Sequence, residues 1–170
     1  KSGNESHIEP IAHICKPSNG EEVSNLTGNK NYSLKQYKER FVKPLRLQIN
    51  NLIDANSSST SPLIESMQSA VIESFEANAN TGKKRLIIVS DMIQNTNLYS
   101  FYREKPSYKN YTKISTQSGK GMLRLDGITV EILVVARSFP KGTREDVVRF
   151  WSLFLKEKGA ANGSSMEPLL

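Results

Sequence analysis

Residues 85–91 read Arg-Leu-Ile-Ile-Val-Ser-Asp: four consecutive apolar residues that end on a hydroxyl and a carboxylate. An apolar run of this length without alternation predicts a strand buried on both faces, as in the interior of a parallel sheet. A second such run, Ile-Thr-Val-Glu-Ile-Leu-Val-Val-Ala over 128–136, follows the turn pair Asp126-Gly127. Helical patterns flank both runs. Leu63, Ile64, Met67, Val71, Ile72 and Phe75 recur at three- and four-residue steps ahead of the first. Val147, Val148, Trp151, Phe154 and Leu155 do so after the second, behind Thr143 as the expected N-cap of a helix over 144–158. Strands alternating with helices predict an α/β fold, specifically a doubly wound, mostly parallel, Rossmann-like sheet flanked by helices.

The front of the chain is less regular. Ile8 to Cys15 has strand character, with Pro10 favouring an edge or a strand start. Residues 16–32, rich in Asn, Gly, Ser and Pro, predict a long loop. Ser33 is the expected N-cap of a helix carrying Leu34, Tyr37, Phe41, Leu45, Gln48, Ile49 and Leu52, with a kink or break at Pro44. Asn56 to Ser61 is a polar loop, and Thr60 or Ser61 is expected to cap the helix that Pro62 opens. The pattern predicts one domain over 1–159 and a frayed, flexible tail over 160–170.

The 170 residues include 37% hydrophobic and 24% charged, enough for an ordinary buried core and against wholesale disorder. A single cysteine, Cys15, excludes an internal disulfide framework or a cysteine-rich zinc site. No apolar run approaches the roughly 20 residues that cross a bilayer. A serine hydrolase needs a nucleophile elbow and a partner histidine; no Gly-x-Ser-x-Gly occurs, and His7 and His13 are the only histidines. His13 and Cys15 share a strand face, a pairing that simple packing explains. Gly119-Lys120-Gly121 lacks the Gly-Lys-Ser/Thr ending of a phosphate loop.

Ligands of open parallel sheets bind outside the carboxyl ends of the strands. Asp91 and Ser90 stand at such an end, and the Ser59-Thr60-Ser61 loop, just ahead of a helix, belongs to the same edge. A carboxylate with hydroxyls is an oxygen-only ligand set suited to Mg²⁺ or a similar hard divalent cation. Asp91, Thr60 and Ser61 are therefore the candidate metal ligands. The alternative is that Thr60 and Ser61 cap a helix and Asp91 caps the next turn.

Val89-Ser90-Asp91-Met92 after a buried strand, with Thr60-Ser61-Pro62-Leu63 opening a helix, resembles the von Willebrand factor A-type (VWA-like) domain, in a poorly characterised bacterial group. IEPIAHICKP, FVKPL, SPLIESM, LIIVSDMIQN and VRFWSLFLKEKGA carry the likeness, loosely, over most of the chain. It implies a metal-ion-dependent adhesion site in which Thr60 and Asp91 match the later ligands. It also implies that the family's first strands, with the Asp-x-Ser-x-Ser loop that does not occur here, lie upstream of Lys1. An apolar segment there would anchor the domain at a membrane.

Net charge is +6, from 23 Lys and Arg against 17 Asp and Glu. The bases concentrate between Arg103 and Arg124, interleaved with Tyr99, Phe101, Tyr102, Tyr108 and Tyr111. Cations among aromatic faces suit single-stranded nucleic acid, with Tyr102, Lys105, Lys109 and Lys113 as candidate binding residues there and Ser90 as a candidate binding residue at the strand end. The plainer reading is a solvated basic loop over 99–124 whose tyrosines pack on the domain body. Three functions follow: a non-enzymatic interaction module with a protein partner, a module for nucleic acid or an anionic lipid surface, and a metal-dependent hydrolase using Asp91.

Overall fold

The computed structural model describes residues 12, 14–21, 28–53, 59–76, 82–118 and 123–168. The chain divides into two compact units, one of residues 1–8 with 59–170 and one of residues 9–58. The sequence pattern alone suggested a single domain over 1–159. Most of the expected first strand, Ile8 to Cys15, lies outside the described residues, as does His13.

Residues 9–58 contain one interrupted helical run. Helix α1, Lys30–Tyr37, starts earlier than Ser33 because Asn29 is the N-cap, its side-chain oxygen accepting the Tyr32 N–H at 3.0 Å. A π-helical turn, Lys38–Val42, separates it from α2, Lys43–Ile53. The expected break at Pro44 takes this form. Proline supplies no N–H and its ring crowds the carbonyl four residues back, so the preceding turn widens. Tyr37 and Phe41 lie with ring centroids 5.4 Å apart along this run.

The other unit holds a three-stranded sheet of order β1-β2-β3, all parallel: Lys84–Ser90, Ile128–Val134 and Ser165–Pro168. Helix α3, Leu63–Val71, runs on into a π-helical turn, Ile72–Glu76, ahead of β1. Helix α4, Tyr108–Gln117, lies in the first crossover and α5, Arg144–Glu157, in the second. This is a mixed α/β structure with a small parallel sheet and flanking helices.

Thr143 caps α5 as read, in a reciprocal capping box with Asp146. The segment expected to fray instead supplies β3. Gly159 ends α5 at φ +82°. The chain then turns back, and the Ala161 N–H reaches the Ile128 carbonyl at 2.9 Å.

The register puts Leu86 and Ile88 beside Val130 and Ile132, on the face that packs against α3, α4 and α5. Ile64, Met67 and Val71 of α3 and Val147, Phe150, Trp151, Phe154 and Leu155 of α5 are buried in that core. Expected burial on both faces of β1 does not hold. Arg85 is exposed, and Ile87 and Val89 are 52% and 58% exposed. Among the described residues β1 is an edge strand, and the helices of this core pack on the other face. The unbroken run of apolar residues could not distinguish that position from the sheet centre.

Residues 99–124 are also not one open loop. Tyr99 and Phe101 are buried, and Ser107 caps α4 by accepting the Asn110 N–H. Tyr99, Phe101, Tyr111, Phe150, Trp151 and Phe154 form one aromatic core, with Tyr108 at its edge. Phe150 lies 5.0 Å from Phe101 and 5.2 Å from Trp151, centroid to centroid.

Burial, with smaller contributions from Glu65 and Tyr108, pushes the Tyr111 phenol up to about 12. The folded state therefore keeps this proton in a range where an unfolded tyrosine, near 10, loses it. The associated stability is complete below pH of about 10 and disappears as pH rises to about 12, a loss on the order of 2–3 kcal/mol. Chemical unfolding of wild type and Tyr111→Phe at stepped alkaline pH should show this component in wild type only. Equal slopes in the two proteins would refute it.

Candidate site at the carboxyl edge of the sheet

Three loops meet at the carboxyl end of β1. Ser61 and Asn95 form an antiparallel bridge, with N–H···O distances of 2.9 and 2.8 Å, so residues 59–61 lie against residues 91–95. The Asn95 amide donates to the Ser59 carbonyl at 2.9 Å, and its oxygen accepts the Ser100 hydroxyl at 2.7 Å. From the loop after β2, Arg137 donates to Asp91 Oδ2 at 2.7 Å.

The exit of β1 is a tight, internally bonded turn. Ser90 Oγ accepts the Met92 N–H, and Asp91 Oδ1 accepts the Ile93 N–H, each at 3.0 Å. Met92 has φ +59°, the left-handed region that L side chains rarely take, and it is fully buried. The Trp151 indole N–H donates to its carbonyl at 2.9 Å. Backbone strain in a loop at a strand's carboxyl end, held by a core side chain, is typical of functional sites.

Thr60 and Ser61 are not the side-chain caps expected for α3. That helix starts behind Pro62 with no local side-chain cap. Its Ile64 N–H instead donates to Gln94 Oε1 at 3.1 Å, across 30 residues of sequence. Gln94 is 1% exposed, and its amide nitrogen donates to Glu65 Oε2 at 3.0 Å. One buried amide thus joins the α3 N-terminus to the β1 exit loop.

Ser90, Asp91 and Ser61 therefore come to one edge with Arg137, and Thr60 is exposed on the same loop as Ser61. Tyr102, 40% exposed, belongs to this neighbourhood: its N–H donates at 3.2 Å to the Ser100 hydroxyl, which in turn donates to Asn95. The hydrogen bond to Asp91, with Tyr102 next, holds the Arg137 guanidinium above its ordinary value. Sequence reading did not single out Arg137 or Gln94. Arg137 was within reach of the rule that found Asp91, because it closely follows the second strand. Gln94 carried no local signal.

The two Asp91 oxygens are already taken, one by a backbone N–H and one by a guanidinium. Among the described residues no three His, Cys, Asp or Glu side chains are grouped to hold a metal ion. In this arrangement the charge beside the Asp91 carboxylate is the half-exposed Arg137 guanidinium.

The basic stretch separates into different roles. Lys105 pairs with Asp146 at 3.0 Å, Arg124 with Asp126 at 2.8 Å, and Arg103 donates to the Thr96 and Asn97 carbonyls. Lys109 and Lys113 are exposed one turn apart on α4. Lys120 lies outside the described residues. Of the five aromatic residues in the stretch, Tyr99, Phe101 and Tyr111 are core. Their faces are not open to stacking bases.

No helix among the described residues is long and apolar enough to cross a membrane. Comparison with family models gives no match, and comparisons with curated proteins and with solved structures give no significant match.

Proposed function

We propose that residues 59–168 are a VWA-like, Rossmann-like interaction module that engages a protein partner through the carboxyl edge of its sheet. The observation that carries this reading is the convergence there of the 59–61, 91–103 and 135–142 loops around the Asp91–Arg137 pair. The β-α-β-α-β order with parallel neighbours supports the α/β class; a doubly wound sheet would add helices on the face where Ile87 and Val89 stand exposed. The edge offers hydroxyls, amides, one phenol and an exposed guanidinium, a set suited to recognising polar and acidic groups of a protein surface. Among the described residues it offers no nucleophile with an adjacent base, which favours binding over hydrolysis. Arg137 supports a version of the module that works without Mg²⁺ or another divalent cation.

Proximity labelling in the native cell tests the reading, with wild type, Arg137→Glu and a Lys105→Glu/Lys109→Glu/Lys113→Glu triple variant. A protein partner labelled by wild type and the triple variant but lost with Arg137→Glu is the expected result. Labelling that survives Arg137→Glu and disappears with the triple variant would instead favour the nucleic-acid or anionic-lipid reading. In that case oligonucleotide binding should also fall steeply with salt. The triple variant is expected to melt a few degrees below wild type, because Lys109 and Lys113 are solvated but Lys105→Glu sets a carboxylate beside the largely covered Asp146 of the α5 capping box. Calorimetry with MgCl₂ is expected to show no binding to wild type, and clear binding heat would restore the metal site.

A further inference from the structure

The 9–58 unit concentrates positive charge on its helical run. Lys30, Lys35, Lys38, Arg40, Lys43 and Arg46 stand there against a single acid, Glu39. Residues 30–53 thus carry +5, and the rest of the chain holds 17 bases against 16 acids. The 103–124 stretch is as dense, but three of its cations are engaged, Lys105 and Arg124 by carboxylates and Arg103 by carbonyls. Among the described residues, none of the six bases on the helical run is paired with a carboxylate. Their placement follows the apolar residues. Leu34, Tyr37, Phe41, Leu45 and Ile49 succeed one another at three- and four-residue steps, and the Tyr37–Phe41 ring contact keeps the row together through the π-helical turn. Lys35, Lys38 and Arg46 each come one residue after a member of this row, about 100° round the helix, and form a rim along it. Glu39, two residues past Tyr37, is nearly opposite, and Tyr32 and Leu47 lie off the row. No residue from Lys30 to Asn51 is buried, and Leu34, Leu45 and Ile49 are exposed.

Beyond the reading at the sheet edge, we infer that residues 30–53 lie along a bilayer surface rich in anionic lipid, parallel to its plane. Helices of this kind draw most of their stability from covering an amphipathic face. Here acyl chains meet the apolar row, and lipid phosphates meet the cationic rim at its boundary. Charge selects the lipid class, because each base near an anionic surface strengthens binding about fivefold, a gain that a zwitterionic surface does not give. The exposed Leu34, Leu45 and Ile49 favour lipid over nucleic acid, whose charged groove gives aliphatic side chains nothing to enter. The π-helical turn and Pro44 favour lipid over an acidic groove on a protein. A shaped groove reads a regular three- and four-residue spacing, whereas a fluid surface adapts to an interrupted helix.

Flotation of the full chain with lipid vesicles tests this. The protein should float with phosphatidylserine–phosphatidylcholine vesicles and stay behind with phosphatidylcholine alone. Lys35→Gln/Lys38→Gln/Arg46→Gln should weaken vesicle binding about a hundredfold at an unchanged melting temperature, since all three side chains are exposed. Lys109→Gln/Lys113→Gln should float like wild type. In a Cys15→Ser background, an environment-sensitive dye on Leu45→Cys or Ile49→Cys should brighten on anionic vesicles, and one on Glu39→Cys should not. Absence of flotation would overturn the proposal, as would equal flotation with both vesicle types or equal brightening at 39 and 45. Flotation lost with the Lys109 and Lys113 pair but kept by the 35/38/46 variant would move lipid binding to α4 and overturn it too. Retention on immobilised polyglutamate without flotation would put an acidic protein in the place of lipid. Arg137→Gln should leave flotation unchanged, so this inference and the sheet-edge reading fail independently.

Discussion

Trp151→Ala is expected to lower the unfolding free energy of the 59–168 unit by about 3–5 kcal/mol. The indole is fully buried and packs against Phe101, Phe150 and Phe154, with ring centroids at 6.3, 5.2 and 5.3 Å. Truncation leaves a cavity at the centre of the aromatic core. It also removes the donor to the Met92 carbonyl, the contact that holds a left-handed backbone at the β1 exit. Trp151 is the only tryptophan, so unfolding of the variant has to be followed by circular dichroism. Trp151→Phe separates the two contributions. It keeps most of the ring volume and should lose only the hydrogen-bond part, about 1–3 kcal/mol. Unchanged stability in Trp151→Ala would mean that this side chain is not the centre of the core.

Gln94→Leu is the second large effect, about 2–4 kcal/mol, although leucine nearly matches glutamine in size and is apolar. The loss has two sources. The Ile64 N–H near the start of α3 loses its acceptor, and helix N-caps alone contribute roughly 0.5–2 kcal/mol. Glu65 also loses the Gln94 amide as a donor within a partly buried cluster. The change should also loosen the Ser61–Asn95 bridge, giving faster amide hydrogen exchange at residues 61 and 95 than in wild type. If Gln94→Leu were as stable as wild type, the α3 N-terminus would be satisfied by some group other than this amide.

Gln94 also shows where local reasoning stops. Pro62 announced a helix start correctly, and Thr60 or Ser61 was the natural local cap. The acceptor came from another loop because the tight turn after β1 delivers an amide to that spot. Arg137 is similar. Its place beside Asp91 depends on the parallel register of β1 and β2, which sets the ends of both strands side by side. The tyrosines of 99–111 carried a different ambiguity. Aromatic residues among lysines serve equally for stacking bases or for packing a core, and only the position of α5 decides between them.

What the sequence by itself determined is the local order: two apolar strand runs, helices with three- and four-residue apolar periodicity, the Thr143 cap, the Pro44 interruption and the carboxylate at a strand end. Each follows from backbone sterics and side-chain spacing within a few residues. Only the tertiary structure decided that β1 lies, among the described residues, at an edge with Ile87 and Val89 exposed, that residues 165–168 join the sheet, and that residues 108–117 form a helix over the core. It alone gave Asp91 an arginine partner and α3 a cap 30 residues away. Those outcomes depend on which surfaces compete for the same neighbours, and burial is a property of the assembled chain rather than of any short segment.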